Sequence, residues 1–386
     1  MEVIPYGRHL IEEDDVAEIA RAIREPYLTQ GPAVERFERA VADRCDARHA
    51  VACNSGTAAL HLSLLAAGVG AGDEIVVPAI TFLATANCAI HAGAVPRFTD
   101  VDFDSVLMTA ETLEPHLSEQ VRVVLPVHFA GLACDMEAIR STVRSTCPGA
   151  VIIEDACHAL GGNHGDSTPV GSLKWADMVA FSFHPVKHIA VGEGGMVLTD
   201  DDRLAERLRR FRNHGMTKAV DQLDRPEEGP WYYEMHEVGY NYRIADLNCA
   251  LGSSQLNKLD RFIQRRREIA ARYFDALDGL PHVGLPACRD VERSAWHIYS
   301  LHVDFEALGK SRRRVMEQLM ARGVGTQVHY YPVPLQPYYR KRFDHAPGDF
   351  AGAEKHYDRA LTIPLHPSMT DRDVDRVIES VRAVTG

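Results

Sequence analysis

The sequence predicts an α/β protein in which a mainly parallel sheet carries helices on both faces and a smaller α+β unit follows. Three observations predict it. Short, β-branched apolar runs alternate with stretches of helical spacing, the arrangement in which crossover helices join parallel strands. A long helical pattern then covers residues 244–276. After it come a strand, a helix, a second strand and a last helix within about 100 residues, an ordinary domain size.

Taken in order, residues 12–24 read as a helical arm, followed by the irregular segment PYLTQGP, which sets residues 1–30 apart. Candidate strands are 74–77, 95–98, 121–126, 150–154, 178–183 and 195–199, and candidate helices between them are 57–67, 82–91 and 136–146. These elements make residues 31–250 one large α/β domain. The charged stretch 218–230, marked by Pro and Gly, interrupts the pattern before the connecting helix. Residues 251–386 then hold most of that helix and the small domain: strand 297–303, helix 310–321, strand 326–330 and helix 371–383.

Composition narrows the function classes. Of 386 residues, 46% are hydrophobic and 25% charged, as in a globular chain, and the formal net charge is -12. Lys and Arg are spread along the sequence, so a grip on a nucleic-acid backbone is not expected. No run of about 18 apolar residues exists, which speaks against a membrane span. The eight cysteines have no CxxC pair and no Cys/His spacing of a zinc site, so neither disulfides nor a metal is expected. With no apolar signal core at the start, the expected compartment is the cytoplasm. An acidic protein still binds a small anion where backbone amides supply local positive potential.

Three constellations carry chemistry. In NSGTAALHL a Gly-containing turn opens directly into a helix; the free amides there, with the Ser55 and Thr57 hydroxyls, make an anion site, and an ordinary N-cap is the competing reading. In VIIEDACHALGG an apolar strand ends in Glu154 and Asp155, at the carboxyl edge where open α/β sheets place ligands. Asp155 there can pair with a protonated ring nitrogen or simply cap a turn, and His158 either faces the same site or packs. In FSFHPVKHIAVGEGGMV, Lys187 lies between two strands in an otherwise small or apolar segment. Desolvation would favour its neutral, nucleophilic amine. Ser182, ending the strand before it, adds a hydroxyl. An anion nest, a carboxylate and a desolvated lysine are together what pyridoxal phosphate requires.

These motifs, with YLTQGP, VPAITFLATAN, GYNYRIADLNCALG and QVHYYP in the same order, resemble the DegT/StrS-type sugar aminotransferases over nearly the whole chain. The resemblance implies the type I aminotransferase fold with a seven-stranded, mainly parallel sheet. It implies pyridoxal 5'-phosphate as cofactor, alternating with pyridoxamine 5'-phosphate during turnover. Lys187 would bond covalently to the cofactor and Asp155 would pair with its pyridine nitrogen. Phe82 would cover a ring face and His158, where many relatives have Gln, would lie near the ring hydroxyl. Ser55, Gly56, Thr57 and Ser182 would hold the phosphate, joined by Asn241 from a neighbouring subunit, so a homodimer with shared sites follows. Ala190 and Val191 stand where many relatives have two threonines.

The reaction implied is transamination from an amino-acid donor, L-glutamate by expectation, to a nucleotide-linked keto sugar. Tyr27, Thr29, His329 and Tyr330 are candidates for substrate contact. YLTQGP, WYYEMHEVGYNYR and GTQVHYYPVPLQPYY look most like UDP-sugar 4-aminotransferases of pseudaminic acid biosynthesis, which act on a UDP-4-keto-6-deoxy-N-acetylhexosamine. The alternatives are amination at C3 or C4 of another dTDP- or GDP-linked keto sugar, a sugar 3-dehydratase, and a non-catalytic sensor of the cofactor. Dehydratase relatives carry His in place of the lysine, whereas this chain has Lys187, with His188 beside it.

Overall fold

The alternating apolar runs become a seven-stranded sheet in the computed structural model, which describes residues 2–386. In chain order its strands are β1 (His49–Cys53), β2 (Glu74–Pro78), β3 (Val95–Thr99), β4 (Val121–Val124), β5 (Val151–Asp155), β6 (Met178–Ser182) and β7 (Gly195–Thr199). They lie side by side as β1-β7-β6-β5-β4-β2-β3. The pairs β2/β3, β2/β4, β4/β5 and β5/β6 are parallel, and β7 runs antiparallel to β6 and β1. Consecutive residues Ile75, Val76 and Val77, or Ile152 and Ile153, are buried whichever face they take. Helices cover both faces, so these strands read as continuous apolar runs without alternation.

The first four helices are α1 (Glu13–Ala22), α2 (Pro32–Cys45), α3 (Gly56–Ala66) and α4 (Leu83–His91), of which α3 and α4 border the cavity lined by Lys187. α3 buries Ala58 through Leu64 all round and is the central helix. α2 and β1 escape the sequence pattern. HAVAC has small residues and no β-branched run, and it becomes a strand through its pairing with β7. α2 presents Val34, Phe37, Val41 and Cys45 at helical spacing, and Phe37 packs on Phe183 at 5.1 Å between ring centroids.

Two expectations are corrected. The connecting helix is two helices, Asp246–Leu256 and Leu259–Leu277. Between them Asn257 and Lys258 form a turn, and the Lys258 ammonium meets Asp15 of α1 at 2.8 Å and Glu12 at 3.3 Å. Residues 326–330 do not form a strand; they make a single bridge, Gln327 to Thr362. The place beside Tyr299–Val303 belongs to Ala360–Ile363, which completes a three-stranded antiparallel sheet with Val283–Gly284. A second apolar core lies here, built around Tyr273, Phe274, Trp296 and Tyr299 and closed by the helix Asp371–Thr385. Among the described residues, no helix is long and apolar enough to cross a membrane.

Candidate active site

At the start of α3, Ser55 is extended and its Oγ accepts the Ala58 N–H at 3.1 Å, so Ser55 does cap the helix. A hydroxyl also has a proton to donate, and capping leaves that proton free. The amides of Gly56 and Thr57 precede the first intrahelical bond and face out of the helix end. Two glycines permit this placement. A Cβ on Gly56 would stand 2.8 Å from Ser182 Cβ, and one on Gly195 would stand 2.3 Å from the Ser55 carbonyl oxygen. The helix start therefore sits against the ends of β6 and β7, with the Ser182 hydroxyl beside it. Competing readings of Ser55 as cap or anion ligand are thus compatible.

Asp155 ends β5 with 5% of its surface exposed. Its Oδ2 accepts from Thr85 Oγ1 at 2.7 Å, Thr85 in turn shares a 2.7 Å hydrogen bond with Thr81, and its Oδ1 accepts the Cys157 N–H at 3.2 Å. Behind it, His128 Nε2 lies 3.0 Å from Glu154, and His164 Nε2 lies 3.8 Å from the same carboxylate. This trio is spaced like a metal site. His128 Nδ1, however, accepts the Cys134 N–H at 3.2 Å, which puts the imidazole proton on Nε2 and leaves no lone pair there for a metal. The His128 Nε2–H donates to Glu154, and His164 stands beyond hydrogen-bond distance of it.

Lys187 closes a tight turn, its N–H donating to the His184 carbonyl at 2.8 Å. Its Nζ lies 3.3 Å from His297 Nε2. Burial holds its pKa below the ordinary lysine value; the Arg266 guanidinium adds to that, while Cys157 and Asp155 oppose it. The outcome is a larger share of neutral amine. His188 takes another direction, with Nε2 against the Ala295 carbonyl at 3.1 Å. Burial also keeps His158 well below its ordinary pKa, and hence neutral.

Ser55, Gly56, Thr57, Phe82, Asp155, His158, Ser182, Lys187, His329 and Tyr330 all line one cavity of about 600 Å³. Phe82 stands at its mouth, 57% exposed, 6.2 Å from the Tyr330 ring. His329 is tied down by Thr362 at 2.9 Å. Tyr339 belongs to the core, donating to Asn87 Oδ1 at 2.6 Å, so the aromatic cluster near the C-terminus divides between cavity and packing. Three expected residues do not reach the cavity within one chain: Tyr27 and Thr29 lie on the exposed segment after α1, and Asn241 is exposed beside Asn213. A cavity of about 710 Å³ elsewhere, beside α2, holds none of the three constellations. Sequence reasoning passed over Thr85, Tyr6, Cys157 and His297, which also line the site. Thr85 had a signal, being one helical turn after Phe82; His297 had none. Open amides with two hydroxyls, a tethered carboxylate and a buried amine around one cavity fit pyridoxal phosphate.

Residues 9–382 match the DegT/DnrJ/EryC1/StrS aminotransferase family. The spore coat polysaccharide biosynthesis protein SpsC of Bacillus subtilis (strain 168) is 41% identical over 382 residues, which is 99% of this chain and 97% of that protein. Helicobacter pylori PseC, an aminotransferase involved in the biosynthesis of pseudoaminic acid, superposes with a TM-score of 0.90 at 28% identity, covering 100% of this chain and 99% of its own. Spr1654 of Streptococcus pneumoniae, described as a sugar aminotransferase, superposes in its PMP form with a TM-score of 0.90 at 30% identity, over 99% of each chain.

Proposed function

Because the chain belongs to the DegT/DnrJ/EryC1/StrS aminotransferase family, we propose that it transfers an amino group from L-glutamate to a nucleotide-linked keto sugar through Lys187 and Asp155. The observation that carries this reading is the convergence of Lys187, Asp155 and the open start of α3 on one cavity. Pyridoxal phosphate is the cofactor: when bound it supplies an aldehyde for amine exchange and a ring that accepts the electron pair released at the amino-bearing carbon. Gly56 and Thr57 amides with Ser55 and Ser182 hydroxyls bind its phosphate. Asp155 keeps the ring nitrogen protonated by charge. Lys187 would take a proton at Nζ from the amino-bearing carbon of the donor and deliver it to the cofactor's aldehyde-derived carbon, leaving the nitrogen on the cofactor. The expected result is that L-glutamate bleaches the visible band of the yellow protein and releases 2-oxoglutarate without any sugar. A band that glutamate leaves unchanged, with other amino donors also silent, would count for a sensor.

The sugar we propose is a UDP-4-keto-6-deoxy-N-acetylhexosamine, giving UDP-4-amino-4,6-dideoxy-N-acetyl-β-L-altrosamine; the likeness to PseC supports it. A second reading, another nucleotide-linked keto sugar destined for a surface polysaccharide, is favoured by the likeness to SpsC. Offering UDP- and dTDP-linked keto sugars to the glutamate-treated protein, and assigning the new C–N bond by NMR, separates them. The eight unpaired cysteines accord with a cytoplasmic enzyme.

The active unit we infer is a homodimer with shared sites. Asn241 lies outside its own chain's cavity, and the segment around it exposes Trp231 (72%), Tyr233, Met235 and Val238 (77%), apolar surface suited to a partner. In a two-fold dimer such a segment serves the opposite site. Co-expressing Lys187→Ala with Asn241→Ala, each severely impaired alone, should restore activity to about half a normal dimer's value per heterodimer, because one site regains both residues. Heterodimers that form but stay inactive would assign Asn241 to its own chain's site.

A further inference from the structure

The Lys187 amine has one hydrogen-bonding partner among the described residues, His297 Nε2 at 3.3 Å, contributed from 110 positions away in the sequence. His297 is itself buried, 4% exposed, and its Nδ1 has no hydrogen-bond partner among the described residues. Its ring stands 4.2 Å from His158 and 5.7 Å from His188, centroid to centroid. An unpartnered buried lone pair costs less than an unpartnered buried N–H, so the favoured tautomer carries its proton on Nε2, facing the lone pair of a neutral Lys187.

The backbone behind His297 is clamped. Arg266, fully buried on the helix Leu259–Leu277, donates from Nη1 to the carbonyls of Trp296 at 3.0 Å, His297 at 3.2 Å and Leu365 at 3.0 Å. Among the described residues it has no carboxylate partner. A buried guanidinium without a counter-ion is costly, and it raises the potential around Lys187 and His297. Burial together with Lys187, the neighbouring histidines and Arg266 holds His297 well below its ordinary pKa, which keeps the ring neutral.

We propose that His297 is a positioning residue that holds the Lys187 amine in the cavity whenever the lysine is not bonded to the cofactor, with Arg266 fixing the His297 backbone. The inference rests on the reading of Lys187 as the cofactor lysine. Between half-reactions a free lysine side chain samples many rotamers, and a fixed partner at Nε2 removes that freedom at the moment Nζ must reach the reacting carbon. The imidazole takes no part in the proton transfer; its Nε2–H serves only to hold the neutral amine by a hydrogen bond.

The test uses the full-length protein with His297→Phe, which fills the space without a hydrogen bond, and His297→Gln, which keeps an amide within reach; His297→Leu replaces the Phe variant should that one not fold. Two rates are followed: bleaching of the visible band by L-glutamate at saturation, and growth of that band when pyridoxal phosphate is returned to cofactor-free protein. In His297→Phe both should fall about 10- to 100-fold, the worth of one hydrogen bond to an amine, while the half-saturating glutamate concentration stays within about 3-fold. His297→Gln should recover most of each rate. Unchanged rates in His297→Phe, equal slowing in both variants, or an effect confined to half-saturation would each overturn the proposal. Wild-type protein that forms the band but ignores glutamate would defeat the proposed function alone, since band formation still reports on His297. No visible band in wild type would defeat both.

Discussion

Lys187→Ala is expected to lose turnover by about 10³-fold or more while the chain still folds and still takes up pyridoxal phosphate. The loss combines the covalent link with a proton-transfer role worth about 10² to 10⁴. Folding should survive because the side chain lines a cavity and its amine makes one hydrogen bond among the described residues, to His297 at 3.3 Å. Cofactor uptake should survive because the start of α3, Ser182 and Asp155 are untouched. Borohydride reduction of the wild type followed by peptide mapping checks the assignment directly. A pyridoxyl group on Lys174 or Lys218 in place of Lys187 would sink it, and Lys174 is already engaged by Asp166 at the surface.

Asp155→Asn should lower kcat by about 10² to 10³, the range seen when one electrostatic stabiliser of a transition state is removed. Its effect on folding should be small, for a reason visible in the hydrogen-bond chain. Thr81, Thr85 and Asp155 are linked through hydroxyls. With Asn at position 155 the amide donates to Thr85 and the Thr85 proton turns to Thr81, so every polar group keeps a partner. The Cys157 N–H still finds the side-chain oxygen. What disappears is the negative charge. Comparing kcat with the thermal midpoint decides the matter: a midpoint within a few degrees of wild type beside a large fall in kcat fits the ring-nitrogen role, and parallel losses would make Asp155 a turn residue.

Much of the site was legible because each constellation is contiguous and sits at a strand end or helix start. VIIED and MVAFS are apolar runs that burial on both faces demands, so the residues following them fall at the carboxyl edge of the sheet. The Gly in NSGTAALHL reads as a helix start, and Gly56 is required there by the Ser182 side chain. β1 was less legible, because Ala and Cys carry weak strand preference and its partner β7 lies far along the chain. QVHYY had the composition of a strand, yet Ala360–Ile363 occupies the sheet position it would need.

The sequence by itself determined the fold class, the open helix start after Ser55, and the lysine and carboxylate that are candidates for the chemistry, since these follow from local periodicity and from side-chain type. The tertiary structure decided which of them meet. Thr85 reaches Asp155 across 70 positions and His297 reaches Lys187 across 110, while Asn241 is held away from the cavity of its own chain. The physical reason is that periodicity reports the burial of a residue's own face. Which polar atom lies opposite it depends on strand register and on how the two apolar cores pack, and those are properties of the whole chain.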